Sequence, residues 1–142
     1  SRRPEDLFRR AEWIASKRKK GWTYPEIAAQ ASLDNARHYS PEATDEELES
    51  LAWMKGIAVS QSNISHYTAA WRDLEAARGP LDPHTVWLSY QLAFTGRGAR
   101  DRRRQLATKA GSLGPTAGRV YFLREGRRLL ASELVTSREN VV

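Results

Sequence analysis

The chain has no cysteine among its 142 residues. That excludes a disulfide framework, a thiolate nucleophile and a zinc finger. Histidine is nearly as scarce. His38, His66 and His84 lie far apart and show no HExxH-like spacing, so neither a metal nor a cofactor is expected. No apolar run approaches the roughly 18 residues a membrane span needs. No secretory leader opens the sequence, and an intracellular, cytoplasmic protein fits. GxSxG and Walker patterns are missing, and Gly96-Arg97-Gly98 is too short for a phosphate-binding loop. Asp45, Glu46, Glu47 and Glu49 form an acidic run of the kind usually just solvated. Tyr67, Tyr90 and Tyr121 are the only candidates for attack on a phosphodiester, and a lone tyrosine on an apolar face is normally core. The chain reads as a non-enzyme. Internal repeats and low-complexity tracts are also lacking.

Positive charge is abundant. The formal net charge is +6 and the pI near 10.0, which favours an acidic partner, nucleic acid or a membrane surface. Its distribution says more. Residues 1–20 carry eight basic and three acidic side chains, residues 34–49 one basic and six acidic, residues 97–128 ten basic and two acidic. Two basic blocks flank an acidic, loop-like insert. Apolar residues make up 40% of the chain, enough for a packed core.

The local signals are helical throughout. Pro4 with Glu5 and Asp6 opens a helix that Gly21 ends, with Leu7, Ala11, Ile14 and Ala15 facing inward. Thr23 and Glu26 predict a capping box for a second helix, with Pro25 inside its first turn. The stretch SLDNARHYSPEAT reads as a polar connection. Thr44 and Glu47 predict the same cap for a third helix, and Ser60 caps a fourth. Gly79, Pro80 and Pro83 mark a break, read here as an interdomain linker at 79–83. Beyond it, HTVWLSYQLAF and RDRRRQLATKAG are helical. AGRVYFLREGRRLLASELV fits either a hairpin or, preferred here, a helix with Val120, Leu123, Leu130 and Leu134 on one stripe. Trp13, Trp53, Trp71 and Trp87 read as core. The basic helix at the amino end could lie on anionic lipid, but its apolar side is expected to pack on the first domain.

One stretch points to a task. In WMKGIAVSQSNISHY, apolar residues fall at Trp53, Ile57, Val59, Ile64 and Tyr67, the spacing of a helix-turn-helix. Ala58 takes the small turn position, and Met54 occupies the place where the two helices touch. The supporting helix is either this third one or TYPEIAAQA, with the acidic segment as an insertion. In both cases the reading helix starts at Ser60. Gln61, Ser62, Asn63, Ser65 and His66 then project short hydrogen-bonding groups suited to base edges and phosphates. The stretch VSQSNIS resembles the start of the recognition helix in phage repressors.

The second basic block offers phosphate contacts through Arg97, Arg100, Arg102, Arg103, Arg104, Lys109 and Arg119, with Arg127 and Arg128 beyond them. TGRGARDRRR resembles an arm for a minor groove. RQLATKAGSLGPTAGRVYFL resembles a degenerate helix-turn-helix, with Thr116 as a further candidate contact and Ala117 where Ile or Val is usual.

Taken together, GWTYPEIAAQAS, VSQSNISHY and two helical halves within this length resemble the immunity repressors of cluster A mycobacteriophages. The resemblance implies a repressor of lysogeny in a bacterial host. It would bind a short asymmetric double-stranded DNA site as a monomer, with both domains and with the Gln61–His66 face reading bases. The absence of a long heptad agrees with a monomer. The expectation is an all-α chain with a helix-turn-helix domain at 1–78, a linker at 79–83 and a basic helical domain at 84–142. The competing readings are a non-specific architectural or RNA-binding protein and an excisionase-like factor.

Overall fold

The computed structural model describes the backbone of residues 3–139 and side-chain surroundings up to residue 132. Seven helices and no strands occur among them: α1 (Pro4–Lys19), α2 (Tyr24–Arg37), α3 (Asp45–Met54), α4 (Gln61–Ala76), α5 (Pro83–Leu92), α6 (Ala99–Ser112) and α7 (Pro115–Glu139). The all-α expectation is therefore met, and the ambiguous segment after Gly114 is a helix rather than a hairpin. None of these helices is long and apolar enough to cross a membrane.

Both capping boxes form. The Thr23 hydroxyl accepts from the Glu26 N–H at 3.3 Å while Glu26 accepts from the Thr23 N–H at 3.1 Å; Thr44 and Glu47 repeat the pattern. α2 continues through Arg37, so half of the expected polar connection is helix, and only residues 38–44 join it to α3.

The chain divides into two compact units, but not at residues 79–83. One unit is Ser16–Ser65; the other combines Ser1–Ala15 with His66–Val142. The boundaries cut through α1 and α4. The glycine-proline break is a tight corner inside the larger unit: Gly79 lies against Leu74 and Ala107, and Asp82 caps α5 by accepting from the N–H groups of His84 and Thr85. A proline-rich corner and a flexible linker have the same composition, and packing distinguishes them.

In the Ser16–Ser65 unit, α2 packs on α3 through Ala36, Leu48 and Ala52, with Leu33, Leu51 and Ile57 around them. Trp53 is 75% exposed, so it is not the core residue expected, and Met54 is 84% exposed, so it does not fill the helix contact that the helix-turn-helix pattern assigned to it. The buried α3 residues of the α2–α3 contact are Leu48 and Ala52.

In the larger unit, α7 packs on α5 and α6. A Cβ on Gly118 would run into the Ala110 carbonyl, so glycine is required where α7 crosses α6. The buried stripe of α7 contains Gly118, Phe122, Leu123 and Gly126. Leu123 was expected there; Val120 is exposed instead, Leu130 is half-buried, and Leu134 lies outside the described side chains. Phe8 of α1 packs its ring on Trp71 of α4 at 5.5 Å.

Candidate nucleic-acid interface

The turn before α4 is held from three directions. Gly56, at φ +66°, closes α3 in the left-handed conformation, and the Ile57 N–H donates to the Ala52 carbonyl at 2.9 Å. The left-handed residue is thus Gly56, two positions before Ala58, because it is the one that follows the helix cap. From α2, Ser32 Oγ accepts the Val59 N–H at 2.8 Å and donates to the Ala28 carbonyl. Asn35 Nδ2 donates to the Ile57 carbonyl at 3.1 Å. Neither brace is legible in the sequence, because SLDNARHYSPEAT reads as a polar connection with Ser32 at its edge and Asn35 inside it. α3 is the helix directly before the turn, and α2 braces it from behind.

α4 then begins as expected: Ser60 Oγ accepts the Asn63 N–H at 3.1 Å, and Ile64 is fully buried. Gln61 and Ser62 are exposed, while Asn63 and Ser65 are half-buried. An open, mostly apolar groove of about 580 Å³ runs past this turn, lined by Ala28, Leu33, Ala52, Trp53 and Val59 and rimmed by Asp45, Glu46 and Glu49. The first turn of α3 carries Asp45, Glu46 and Glu47. These carboxylates repel the phosphate that the first helix of a helix-turn-helix ordinarily crosses.

His66 is half-buried and packs on Phe94 at a tilt, with ring centroids 4.7 Å apart. Burial, followed by the nearby Arg100 and Arg103 charges, holds its imidazole below the ordinary range. It is neutral near pH 7.

The basic candidates separate into three groups. Arg97, Arg100, Lys109 and Thr116 are exposed. Arg104 and Arg119 are partly engaged, with Arg104 Nε 3.5 Å from Asp73 and Arg119 Nε 2.8 Å from Asp82. Arg103 is buried, which corrects the expectation that it tracks phosphates; Arg102 is half-buried and bonds backbone carbonyls. Arg102 donates to the carbonyls of Arg97 at 2.8 Å and Thr95 at 3.3 Å, tying down the loop before α6. Arg103 is 0% exposed; its Nη2 lies 2.7 Å from Asp73 Oδ2 and its Nη1 donates to the Ser89 carbonyl. The same loop is ordered by these bonds and continues into α6, so TGRGARDRRR is not an extended arm.

α6, residues 113–114 and α7 do form a helix, turn and helix. Yet Ala117 and Val120, which a second helix-turn-helix would bury, are exposed. Gly118 and Phe122 face inward in their place, so the resemblance of this segment to that motif is not matched by its packing.

Comparison with family models, with curated proteins and with solved structures finds no match to the chain.

Proposed function

We propose that the chain is a sequence-specific double-stranded DNA-binding protein that acts as a transcriptional repressor. The observation that carries the reading is the first turn of α4. Gln61 and Ser62 are exposed on a helix start that is capped by Ser60 and fixed by Ser32 and Asn35. Short amide and hydroxyl groups on a rigid helix end suit base edges in the major groove. A braced turn limits the entropy lost when they engage.

Phosphate affinity comes from elsewhere, because the first turn of α3 is acidic. Arg97, Arg100 and Lys109 are the exposed cations best suited to it. Repression requires no catalysis: occupancy of a site blocks polymerase. The resemblance to immunity repressors favours a monomer on an asymmetric site, in a bacterial cytoplasm.

The test is selection of bound sites from a random duplex library at about 150 mM salt, where purely electrostatic binding is weakened. An enriched asymmetric motif is expected. A palindrome would require a dimer, and no enrichment would remove sequence reading and leave an architectural role.

A further inference from the structure

We infer that Phe94 is a wedge for duplex DNA, entering a deformable base-pair step while Arg97 and Arg100 hold the flanking phosphates. The inference rests on the proposed DNA-binding function and adds a distortion of the duplex that reading by Gln61 does not need.

Phe94 follows the end of α5 and is 57% exposed. It is nonetheless firmly mounted. One side packs on His66 at 4.7 Å and on Tyr90 at 5.3 Å, edge-on; Tyr90 in turn lies against Tyr67 at 4.8 Å. Its N–H donates to the Gln91 carbonyl at 3.1 Å. The next residue, Thr95, is buried and donates its hydroxyl to the Leu92 carbonyl. Arg102 fixes the loop through two carbonyls. The open side of the ring is therefore presented to solvent on a rigid support.

The surroundings favour a polyanion. Arg97 and Arg100 are exposed beside the ring in sequence. Between Ala93 and the start of α6 lies an open hollow of about 430 Å³, lined by Gly96, Gly98, Arg100 and Arg104, with Asp101 the one acidic residue. A second copy of the same patch would meet like charge, which disfavours self-association. His66, its pKa lowered by burial and the nearby arginines, packs against the ring at a tilt and does not compete as a cation near neutral pH. Apolar wedges that kink DNA need this combination: rigidity to unstack a step, and cations to hold the backbone around it. Pyrimidine–purine steps yield most readily.

The experiment uses the full chain on two duplexes, the selected site and a mixed sequence at low salt. 2-Aminopurine is walked through each, and a donor–acceptor pair at the ends reports bending. Wild-type protein should brighten one position and bend the duplex by about 20–90°. Phe94→Ala should lose both signals while keeping its helical circular-dichroism spectrum and its discrimination at the bases read by Gln61; Phe94→Leu, still apolar, should keep part of the bend. Binding without brightening or bending, or signals unchanged in Phe94→Ala, would overturn the wedge. Failure of site selection is separable: it removes sequence reading, whereas a Phe94-dependent bend on the mixed duplex would still support the wedge.

Discussion

The two units of this chain differ in charge as sharply as in packing. Ser16–Ser65 has six basic and seven acidic residues, a net charge of −1, although it contains the polar turn at Gln61 and Ser62. The rest carries +7. The smaller unit is held by a cluster of small and medium apolar residues and by side-chain bonds to its turn. The larger has an apolar core that includes Ile14, Leu74, Leu92 and Phe122, and it also buries the Arg103–Asp73 ion pair. The difference suggests a division of labour, with base discrimination in one unit and electrostatic attraction in the other. Under the proposed function, a near-neutral reading unit would add little sequence-independent affinity of its own, and attraction by the other unit would act on all sequences alike.

The sharpest way to break the larger unit is Arg103→Met. It leaves the Asp73 carboxylate, 8% exposed, facing the half-exposed Arg104 at 3.5 Å in place of a close buried pair. Loss of one partner from a buried pair should destabilise by about 3–5 kcal/mol. Urea unfolding checks this; an unchanged midpoint would mean that Arg103 reaches solvent and is available to phosphates after all.

The smaller unit is tested by Gln61→Ala, which should weaken binding to the selected site by about 1–3 kcal/mol and relax its sequence preference. Competition titrations with single-base variants of the site read that loss. Ser32→Ala should follow, at about 1 kcal/mol of stability, because the half-buried Val59 N–H loses its acceptor. Hydrogen exchange at Val59 should accelerate; exchange unaltered there would show that the turn does not depend on α2.

The smallest effect concerns His66. Its folded pKa lies below the ordinary value of about 6.5, so the unfolded chain takes up that proton first. The stability contributed by the neutral ring is present above that value and is lost as pH falls towards the folded pKa. Between about pH 7 and 5, His66→Gln should therefore show a flatter fall in stability than wild type. Identical slopes would remove the assigned environment of the ring.

Local chemistry was legible in the sequence wherever it is set by neighbours a few residues apart. Thr23 with Glu26, Thr44 with Glu47 and Ser60 each cap the helix they announce. Long-range packing was not. Arg103 sits in a run of arginines that reads as a phosphate-contacting surface, though it shares a helical face with Ala99, Ala107 and Ala110, and that alanine stripe was the available signal. Trp53 reads as core by size, but the face of α3 turned to α2 is the one carrying Leu48 and Ala52, and Trp53 lies outside it. The corner at Gly79 reads as a linker because nothing local reveals that Asp73 and Arg103 pair across it. In the candidate site, the exposure of Gln61 and Ser62 was legible from their spacing, whereas the braces from Ser32 and Asn35 and the mounting of Phe94 depend on other helices.

The division of labour is tested most directly by salt titrations of wild type, Gln61→Ala and an Arg97→Ala/Arg100→Ala double variant on selected and random duplexes. The account predicts that Gln61→Ala lowers affinity for the selected duplex alone and leaves the salt slope intact. The double variant should lower affinity for both duplexes equally and flatten the slope by about 1.8, roughly 0.9 per lost phosphate contact. Equal losses on both duplexes from Gln61→Ala, or an unchanged slope in the double variant, would contradict it.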